Sequence, residues 1–153
     1  MINEPDREFV IRPMEIDDLE KVLEIERNSF SSPWTYNLFF RELTLNKYAN
    51  YFVLEKEKKI IGYLGLWLMR NDIHITNIAI AKEFRRKEYG GKFLKFVEEK
   101  AAVQGIKKIS LEVRKSNHIA QNMYRKFGYK VIKIWRNYYR EENEDALVME
   151  KKL

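Results

Sequence analysis

The residues best suited to chemistry lie in a basic segment between a predicted strand and a predicted helix. Residues 81–91 read AKEFRRKEYGG, with three consecutive cations, Arg85–Lys87, shortly before Gly90 and Gly91. The first N–H groups of a helix lack intrahelical partners and lie at the positive end of its dipole, so they bind anions. Glycine lets a bulky anion approach the main chain. The segment therefore predicts a phosphate or pyrophosphate site, and a basic surface loop before an ordinary helix is an equally open interpretation.

Other polar side chains have ordinary structural interpretations when each is taken alone. Glu112 lies on the polar face of a predicted strand with Arg114 as a same-face partner, which is typical of a solvated carboxylate. Tyr124 on a short amphipathic helix is typical of a packing residue, and Asn117 near the start of that helix is typical of a capping residue. A single histidine on a strand, such as His74, indicates a structural or surface role.

Composition excludes several classes of function. The chain has no cysteine and two histidines, so disulfides, thiolate chemistry and a metal site are not expected. Neither a P-loop nor a Rossmann glycine pattern is present. A net charge of +6 favours acidic partners, but no RNA-binding motif accompanies it, so direct nucleic-acid binding is not expected.

The same sequence predicts one soluble domain spanning residues 1–153. No apolar run reaches the length of a membrane span, and the N-terminus lacks the pattern of a secretory signal, so we expect a cytoplasmic protein without a membrane partner. The oligomeric state is left open.

Hydrophobic periodicity predicts an α+β fold with a mixed sheet. The strands are expected at Phe9–Arg12, Tyr51–Leu54, Ile60–Trp67, Ile73–Ile80, Lys108–Arg114, and residues 129–139 and 146–152. The helices are expected from a cap at Asp17 to Phe30, from Trp34 to Leu45, from Gly90 to Gln104, and from a cap at Ser116 to a stop at Gly128. Ile119, Met123 and Phe127 are expected to pack from the last helix. The order strand, helix, strand between Ile73 and Val113 predicts a right-handed parallel crossover.

The basic segment resembles the pyrophosphate loop of GCN5-related N-acetyltransferases (GNAT), whose pattern is [RQ]-x-x-G-x-[GA] after a strand. Here Arg85–Gly90 reads RRKEYG, with Glu88 in place of the first glycine. Further segments resemble the ribosomal-protein-alanine N-acetyltransferase (RimI-type) branch: Phe30–Trp34, Leu111–Asn117 with Ala120, Tyr124, Gly128 and Tyr129, Arg136–Tyr139, and Glu144–Ala146 with Met149. The order of elements matches this fold over essentially the whole chain.

The resemblance implies a central, mixed, mostly antiparallel seven-stranded sheet flanked by about four helices. It implies acetyl-CoA as donor and the α-amine of a protein N-terminus as acceptor, in particular the N-terminal alanine of a small-subunit ribosomal protein. It gives Glu112 as general base and Tyr124 as general acid. The donor-binding residues that it implies are Ile78, Ala79, Ile80, Arg86, Lys87, Glu88, Tyr89, Gly90, Gly91 and Asn117.

Three alternatives stay open at this point. In the first, the acceptor is another protein N-terminus, a lysine side chain or a small amine, because the acceptor groove in this fold is built from loops that vary freely. The chain is a non-catalytic acyl-CoA-binding module, an interpretation motivated by the carboxylate of Glu88 beside a pyrophosphate. A direct RNA-binding role ranks last.

Overall fold

The computed structural model describes residues 9–153, which form seven strands and four α-helices. The strands are β1 Phe9–Pro13, β2 Ala49–Lys56, β3 Lys59–Leu68, β4 Asp72–Ile80, β5 Lys108–Arg114, β6 Lys130–Tyr139 and β7 Glu144–Lys152. The helices are α1 Leu19–Ser29, α2 Tyr36–Leu45, α3 Tyr89–Val103 and α4 His118–Lys126. The mixed α+β architecture expected from the sequence is confirmed.

The seven strands form one sheet in the order β1-β2-β3-β4-β5-β7-β6. Strands β4 and β5 are parallel, with a register that runs from Asp72↔Lys108 to Ile75↔Leu111. Strand β7 pairs antiparallel with both β5 and β6, and β1 pairs antiparallel with β2. The predicted parallel crossover through α3 is confirmed, and most of the sheet is antiparallel.

Contacts divide the chain into two compact units. The first unit comprises the residues up to Leu66 together with Asn77–Tyr89, and the second comprises Trp67–Thr76 together with Gly90–Leu153. Core residues of the first unit come from α1, α2, β2, β3 and the end of β4: Leu19, Val22, Leu23, Ile25, Phe39, Tyr51, Val53, Tyr63 and Ala79. Core residues of the second come from α3, β5 and β7: Phe93, Leu94, Val97, Ala101, Ile109, Leu111, Val113, Leu147 and Met149.

Helix α1 does not begin at Asp17, as the sequence pattern predicted. Glu15 and Asp18 form a capping box around a 3-10 turn, Ile16–Asp18, and α1 follows from Leu19. Asp18 takes this place because its carboxylate accepts a hydrogen bond from the Glu15 backbone at 2.7 Å and receives both ends of the Arg12 guanidinium at 2.8 Å. Arg12 thereby lowers the pKa of the Asp18 carboxyl below its usual range.

Helix α2 begins two residues later than predicted. Thr35 is its N-cap, since the Thr35 hydroxyl accepts a hydrogen bond from the backbone of Leu38 at 3.2 Å. The N–H of Trp34 instead donates to the buried carboxylate of Glu26 at 2.9 Å. Leu38 is 45% exposed, and Phe39 is the fully buried residue of this helix.

Helix α4 is capped by Asn117, so the predicted cap at Ser116 is wrong. The Asn117 side chain accepts a hydrogen bond from the backbone of Ala120 at 3.2 Å. The predicted packing row is also wrong at Ile119, which is 69% exposed, and Gln121 and Tyr124 are the buried residues. Gly128 ends the helix with φ +93, as predicted.

Candidate active site

Glu112 lies on β5, and its nearest polar neighbour comes from the parallel strand β4. The register places His74 opposite Ser110, two residues before Glu112. His74 Nε2 lies 3.2 Å from Glu112 Oε1 and 2.9 Å from Oε2, and His74 Nδ1 lies 2.8 Å from Ser110 Oγ. The His74 and Glu112 side chains are 19% and 15% exposed, so solvent reaches both in part.

The two carboxylate oxygens of Glu112 have different surroundings. Oε1 has hydrogen-bond geometry with His74, whereas Oε2 is buried and lies 2.9 Å from the same His74 nitrogen without hydrogen-bond geometry to it or to another residue of 9–153. Buried polar atoms are normally paired, so an unsatisfied carboxylate oxygen keeps a lone pair available to a proton donor. The centre of the Trp67 ring lies 6.2 Å from that of His74.

Tyr138 approaches Glu112 because β6 is irregular. The register of β6 against β7 shifts between Trp135 and Tyr139, and Asn137 in this interval has φ +54. The carboxylate of Asp145 holds the bulge by accepting a hydrogen bond from the Asn137 backbone at 2.7 Å. Burial, and then the charge of Glu112, raise the pKa of the Tyr138 phenol.

Arg114 is not the partner of Glu112 that the strand pattern predicted. Its guanidinium lies 3.9 Å from the centre of the Tyr139 ring and makes ion pairs with Glu142 at 3.3 Å and Glu144 at 3.5 Å. Strand alternation predicted that the Glu112 and Arg114 side chains share one face. The Arg114 guanidinium instead pairs with carboxylates at the turn between β6 and β7, Glu142 and Glu144. Burial raises the pKa of Tyr139 to about 12.

Glu144 also accepts a hydrogen bond from the backbone of Ser116 at 2.7 Å, and the Ser116 side chain, then this backbone bond, lower the pKa of its carboxyl. Glu144 and Asp145, which from the sequence could attract a basic residue of an acceptor, therefore both hold backbone within this unit.

Tyr124 is a buried residue of α4, 6.0 Å from Tyr129 between ring centres. Burial raises the pKa of its phenol, and Tyr139 adds to the effect. The start of this helix is fixed by Gln121, whose amide donates to the carbonyl oxygens of Arg114 and Lys115 at 2.9 Å each.

The predicted donor strand ends at Ile78–Ile80 in the first unit, where neighbouring groups hold it. Tyr51 donates a hydrogen bond to the buried amide oxygen of Asn77 at 3.3 Å, and the Ala81 backbone donates to Ile61 at 2.7 Å. The loop that follows contains two non-glycine residues in the left-handed region. These are Arg86 with φ +63 and Glu88 with φ +67, and both are exposed.

The two glycines at the start of α3 have a packing role that the sequence did not indicate. A Cβ on Gly90 would lie 2.8 Å from Met123 Sδ, and one on Gly91 would lie 3.1 Å from Phe127 Cζ. The positions that these Cβ atoms would occupy are therefore taken by α4 side chains. Close packing of the two helices explains both glycines without an anion.

Sequence reasoning missed His74 and Gln121 as parts of this region. The signal for His74 was available, because a parallel register aligned at the starts of β4 and β5 brings it to Ser110. No sequence pattern indicates that Gln121 holds the turn before α4.

Within residues 9–153 no cluster of three or more histidine or acidic side chains is arranged to hold a metal ion. None of the helices in that range has both the length and the apolar character needed to cross a membrane.

Comparison with known proteins places this geometry in one family. Residues 19–129 match the acetyltransferase (GNAT) family. A Bacillus subtilis (strain 168) protein, provisionally named ribosomal protein bS18-alanine N-acetyltransferase, is 44% identical over 139 residues, which cover 91% of this chain and 92% of that protein.

The fold is shared with solved structures. The ribosomal-protein-S18-alanine N-acetyltransferase of Escherichia coli superposes with a TM-score of 0.86 at 25% identity, over 94% of this chain and 93% of that one. A GNAT family acetyltransferase from Elizabethkingia anophelis with acetyl-CoA bound has a TM-score of 0.77 at 21% identity, over 95% and 99% of the two chains. The chain described here belongs to the GNAT family of acetyltransferases.

Proposed function

We propose that this chain transfers an acetyl group from acetyl-CoA to the α-amine of a protein N-terminus, and that the acceptor is the N-terminal alanine of a small-subunit ribosomal protein. The names of the B. subtilis and E. coli relatives support this acceptor. The observation that carries the chemistry is the Glu112 carboxylate beside His74: both of its oxygens lie within 3.2 Å of His74 Nε2, and Oε2 has no partner with hydrogen-bond geometry among residues 9–153.

Glu112 is the general base of this proposal. An α-amine has a pKa of about 7.7 to 8.0, so near neutral pH it needs to lose a proton before it attacks. The free lone pair of Glu112 Oε2 accepts that proton. The amine nitrogen then forms a bond with the thioester carbonyl carbon, and the carbon–sulfur bond breaks.

His74 orients this base. If Nε2 carries the proton, the ring donates to Glu112 while Nδ1 accepts from the Ser110 hydroxyl. The ring thus fixes the orientation of the Glu112 carboxylate. Burial, and then the charge of Glu112 and a hydrogen bond to it, raise the pKa of the nearby Tyr138 phenol, so Tyr138 stays a proton donor beside this carboxylate.

Tyr124 is the general acid: it gives its proton to the departing thiolate, and its phenolate takes up the second proton that the amine nitrogen loses on becoming an amide. Burial raises the pKa of its phenol, which keeps the proton in place until a strong base forms nearby. No acyl-enzyme is required, and a chain without cysteine lacks the usual thiolate nucleophile.

The donor is held by the main chain of Ile78, Ala79 and Ile80 along its pantetheine arm and by Arg86–Gly91 at its pyrophosphate. Exposed cations at Arg86 and Lys87 precede the first turn of α3, which begins at Tyr89, so charge and backbone N–H groups suit an anion. Asn117 uses its amide oxygen in the helix cap, so only its amide nitrogen is available to the donor. Acetyl-CoA supplies the activated acyl group as a thioester.

The roles of Glu112 and Tyr124 are tested by rapid mixing of enzyme, acetyl-CoA and an alanine-starting peptide. Glu112→Gln and Tyr124→Phe are each expected to lower kcat by about 10²-fold or more, the usual scale of a lost general base or acid. Acetyl-CoA affinity should stay within about twofold of wild type, because neither change touches the donor segments. A Glu112→Gln enzyme with normal kcat would exclude this base.

A further inference from the structure

Arg85, the first residue of the resembling loop pattern, makes two hydrogen bonds inside the protein. Its Nε donates to the carbonyl oxygen of Ile80 at 2.9 Å, and its Nη2 donates to the Ser29 hydroxyl at 3.0 Å. Ile80 is the last residue of β4, and Ser29 is the last residue of α1. A single guanidinium therefore ties the start of the basic loop to a strand end and a helix end in the same unit.

We infer that Arg85 is a positioning residue for acetyl-CoA, which sets the main chain of Ile78–Ile80 and the loop behind it and does not bind phosphate itself. This inference rests on the proposed function, which assigns donor binding to Ile78–Ile80. The guanidinium suits the task because its planar fork holds two oxygens at a fixed separation. An ammonium group has no such fixed geometry.

The end of β4 is held at three points, and Arg85 supplies the contact to its last residue, Ile80. Tyr51 holds the Asn77 side chain and the Ile61 carbonyl holds the Ala81 N–H. Arg85 holds the chain between Asn77 and Ala81, because its guanidinium donates a hydrogen bond to the Ile80 carbonyl. Without it, the 3-10 turn Lys82–Phe84 keeps its own backbone hydrogen bonds, but Arg85 no longer ties the end of this turn to β4 and α1, although the left-handed conformations of Arg86 and Glu88 need a firm support.

The neighbouring cation has different surroundings. Arg86 is exposed and makes no hydrogen bond or ion pair with any other residue of the described range. Its charge is available to an external anion, whereas the donors of Arg85 are directed at Ile80 and Ser29. Arg85 and Arg86 are therefore adjacent arginines with different surroundings, and replacing each one is expected to affect acetyl-CoA binding differently.

The test replaces each arginine by lysine, which keeps the charge and removes the planar fork. We expect Arg85→Lys to weaken acetyl-CoA binding, measured by calorimetry, by about threefold to tenfold, the scale of one or two lost hydrogen bonds. The KM for acetyl-CoA should rise by a similar factor while the KM for the peptide stays the same. Arg86→Lys should weaken binding less than Arg85→Lys does, since a point charge suffices for a phosphate. The control is Arg27→Lys, an exposed arginine of α1 outside the donor segments, which should leave acetyl-CoA binding within about twofold of wild type.

Ser29→Ala serves as a second, milder variant that leaves the loop sequence intact. It should weaken binding by about threefold or less, and the Arg85→Lys/Ser29→Ala double variant should bind no more weakly than Arg85→Lys alone, since both remove the same contact. Equal affinities of Arg85→Lys and wild type would overturn the inference, as would additive losses in the double variant. A wild-type protein that does not bind acetyl-CoA would overturn the proposed function and this inference together.

Discussion

Glu112 acquires its chemical surroundings from residues distant in the sequence. His74 lies 38 positions earlier and reaches it across the parallel β4–β5 ladder. Tyr138 approaches Glu112 because β6 has a bulge at Asn137. Asn137 has a left-handed backbone conformation although it is not a glycine, so the sequence shows no sign of the bulge. The position of Glu112 on the polar face of a strand was predictable, but its partners were not, because they depend on register and on an irregular strand.

Glu88 is the residue whose substitution is easiest to interpret. It has φ +67, a conformation that costs a residue with a Cβ about 1 kcal/mol relative to glycine. Glu88→Gly is therefore expected to raise the free energy of unfolding by about 1 kcal/mol and to tighten acetyl-CoA binding, since it removes a negative charge from an anion loop as well. Denaturant unfolding and calorimetry measure the two effects.

Glu88→Ala separates strain from charge. It removes the carboxylate but keeps the Cβ, so it should tighten acetyl-CoA binding without the gain in stability. If both variants bind acetyl-CoA no better than wild type, the carboxylate does not repel the donor and points away from it.

At the scale of elements, the contact between α3 and α4 depends on Gly91. An added Cβ would lie 3.1 Å from Phe127 Cζ and 3.3 Å from Cε2, so the ring must move. Gly91→Ala is expected to lower the free energy of unfolding by about 1 kcal/mol, because overpacking outweighs the gain in helix propensity. A fall of about 2–4 °C in the melting temperature would report this loss.

The matched control for this contact is the adjacent glycine. Gly90→Ala should cost less, because the atom it meets belongs to the flexible side chain of Met123. In a Phe127→Leu background, Gly91→Ala should become neutral or stabilising. An equal loss in both backgrounds would mean that the Phe127 ring is not the obstacle.

Helix α1 contains a carboxyl group that should make stability depend on pH. Glu26 is 2% exposed, receives hydrogen bonds from the Tyr63 hydroxyl and the Trp34 backbone, and has a raised pKa because burial disfavours its charge. The folded state then binds the proton more tightly than the unfolded state. The resulting stabilisation is complete below the unfolded pKa of about 4.3 and is lost as the pH rises through the folded pKa.

Glu26→Gln removes this titration, so the comparison of variant and wild type isolates it from other carboxyls. The melting temperature of the variant minus that of wild type should increase between about pH 4 and about pH 7.5. Thermal unfolding followed by circular dichroism at several pH values measures the difference. A difference that is constant with pH, or that falls, would contradict a raised pKa of Glu26.

Element types were largely predictable, whereas several of their ends were not. Strand β5 has the bounds expected from its strict alternation, Lys108–Arg114. The caps of α1 and α4 were misassigned by one position or more, because neighbouring residues of similar capping ability compete. In the structure, Asp18 is held before α1 by its bond with Arg12. Asn117 caps α4 because its side chain accepts a hydrogen bond from the Ala120 backbone.

For the whole molecule, the fold was predictable from the order of its elements. Three successive strands, a parallel crossover through a helix and a final pair of strands have few compatible topologies. The acceptor was not predictable from the same information. It depends on side chains such as Tyr138, whose position is set by a bulge, and on loops that vary within one fold. The net charge of +6 narrows the choice of partner without selecting one.

The central claim is acetyl transfer to an N-terminal alanine, and one measurement addresses it directly. A ribosomal-type peptide that begins with alanine and contains an internal lysine is incubated with the protein and acetyl-CoA, then analysed by fragmentation mass spectrometry. The account predicts an acetyl group on the α-amine, formed at a strongly reduced rate when Glu112→Gln replaces wild type. Acetylation of the lysine alone, or acetyl-CoA binding without any transfer, would contradict it.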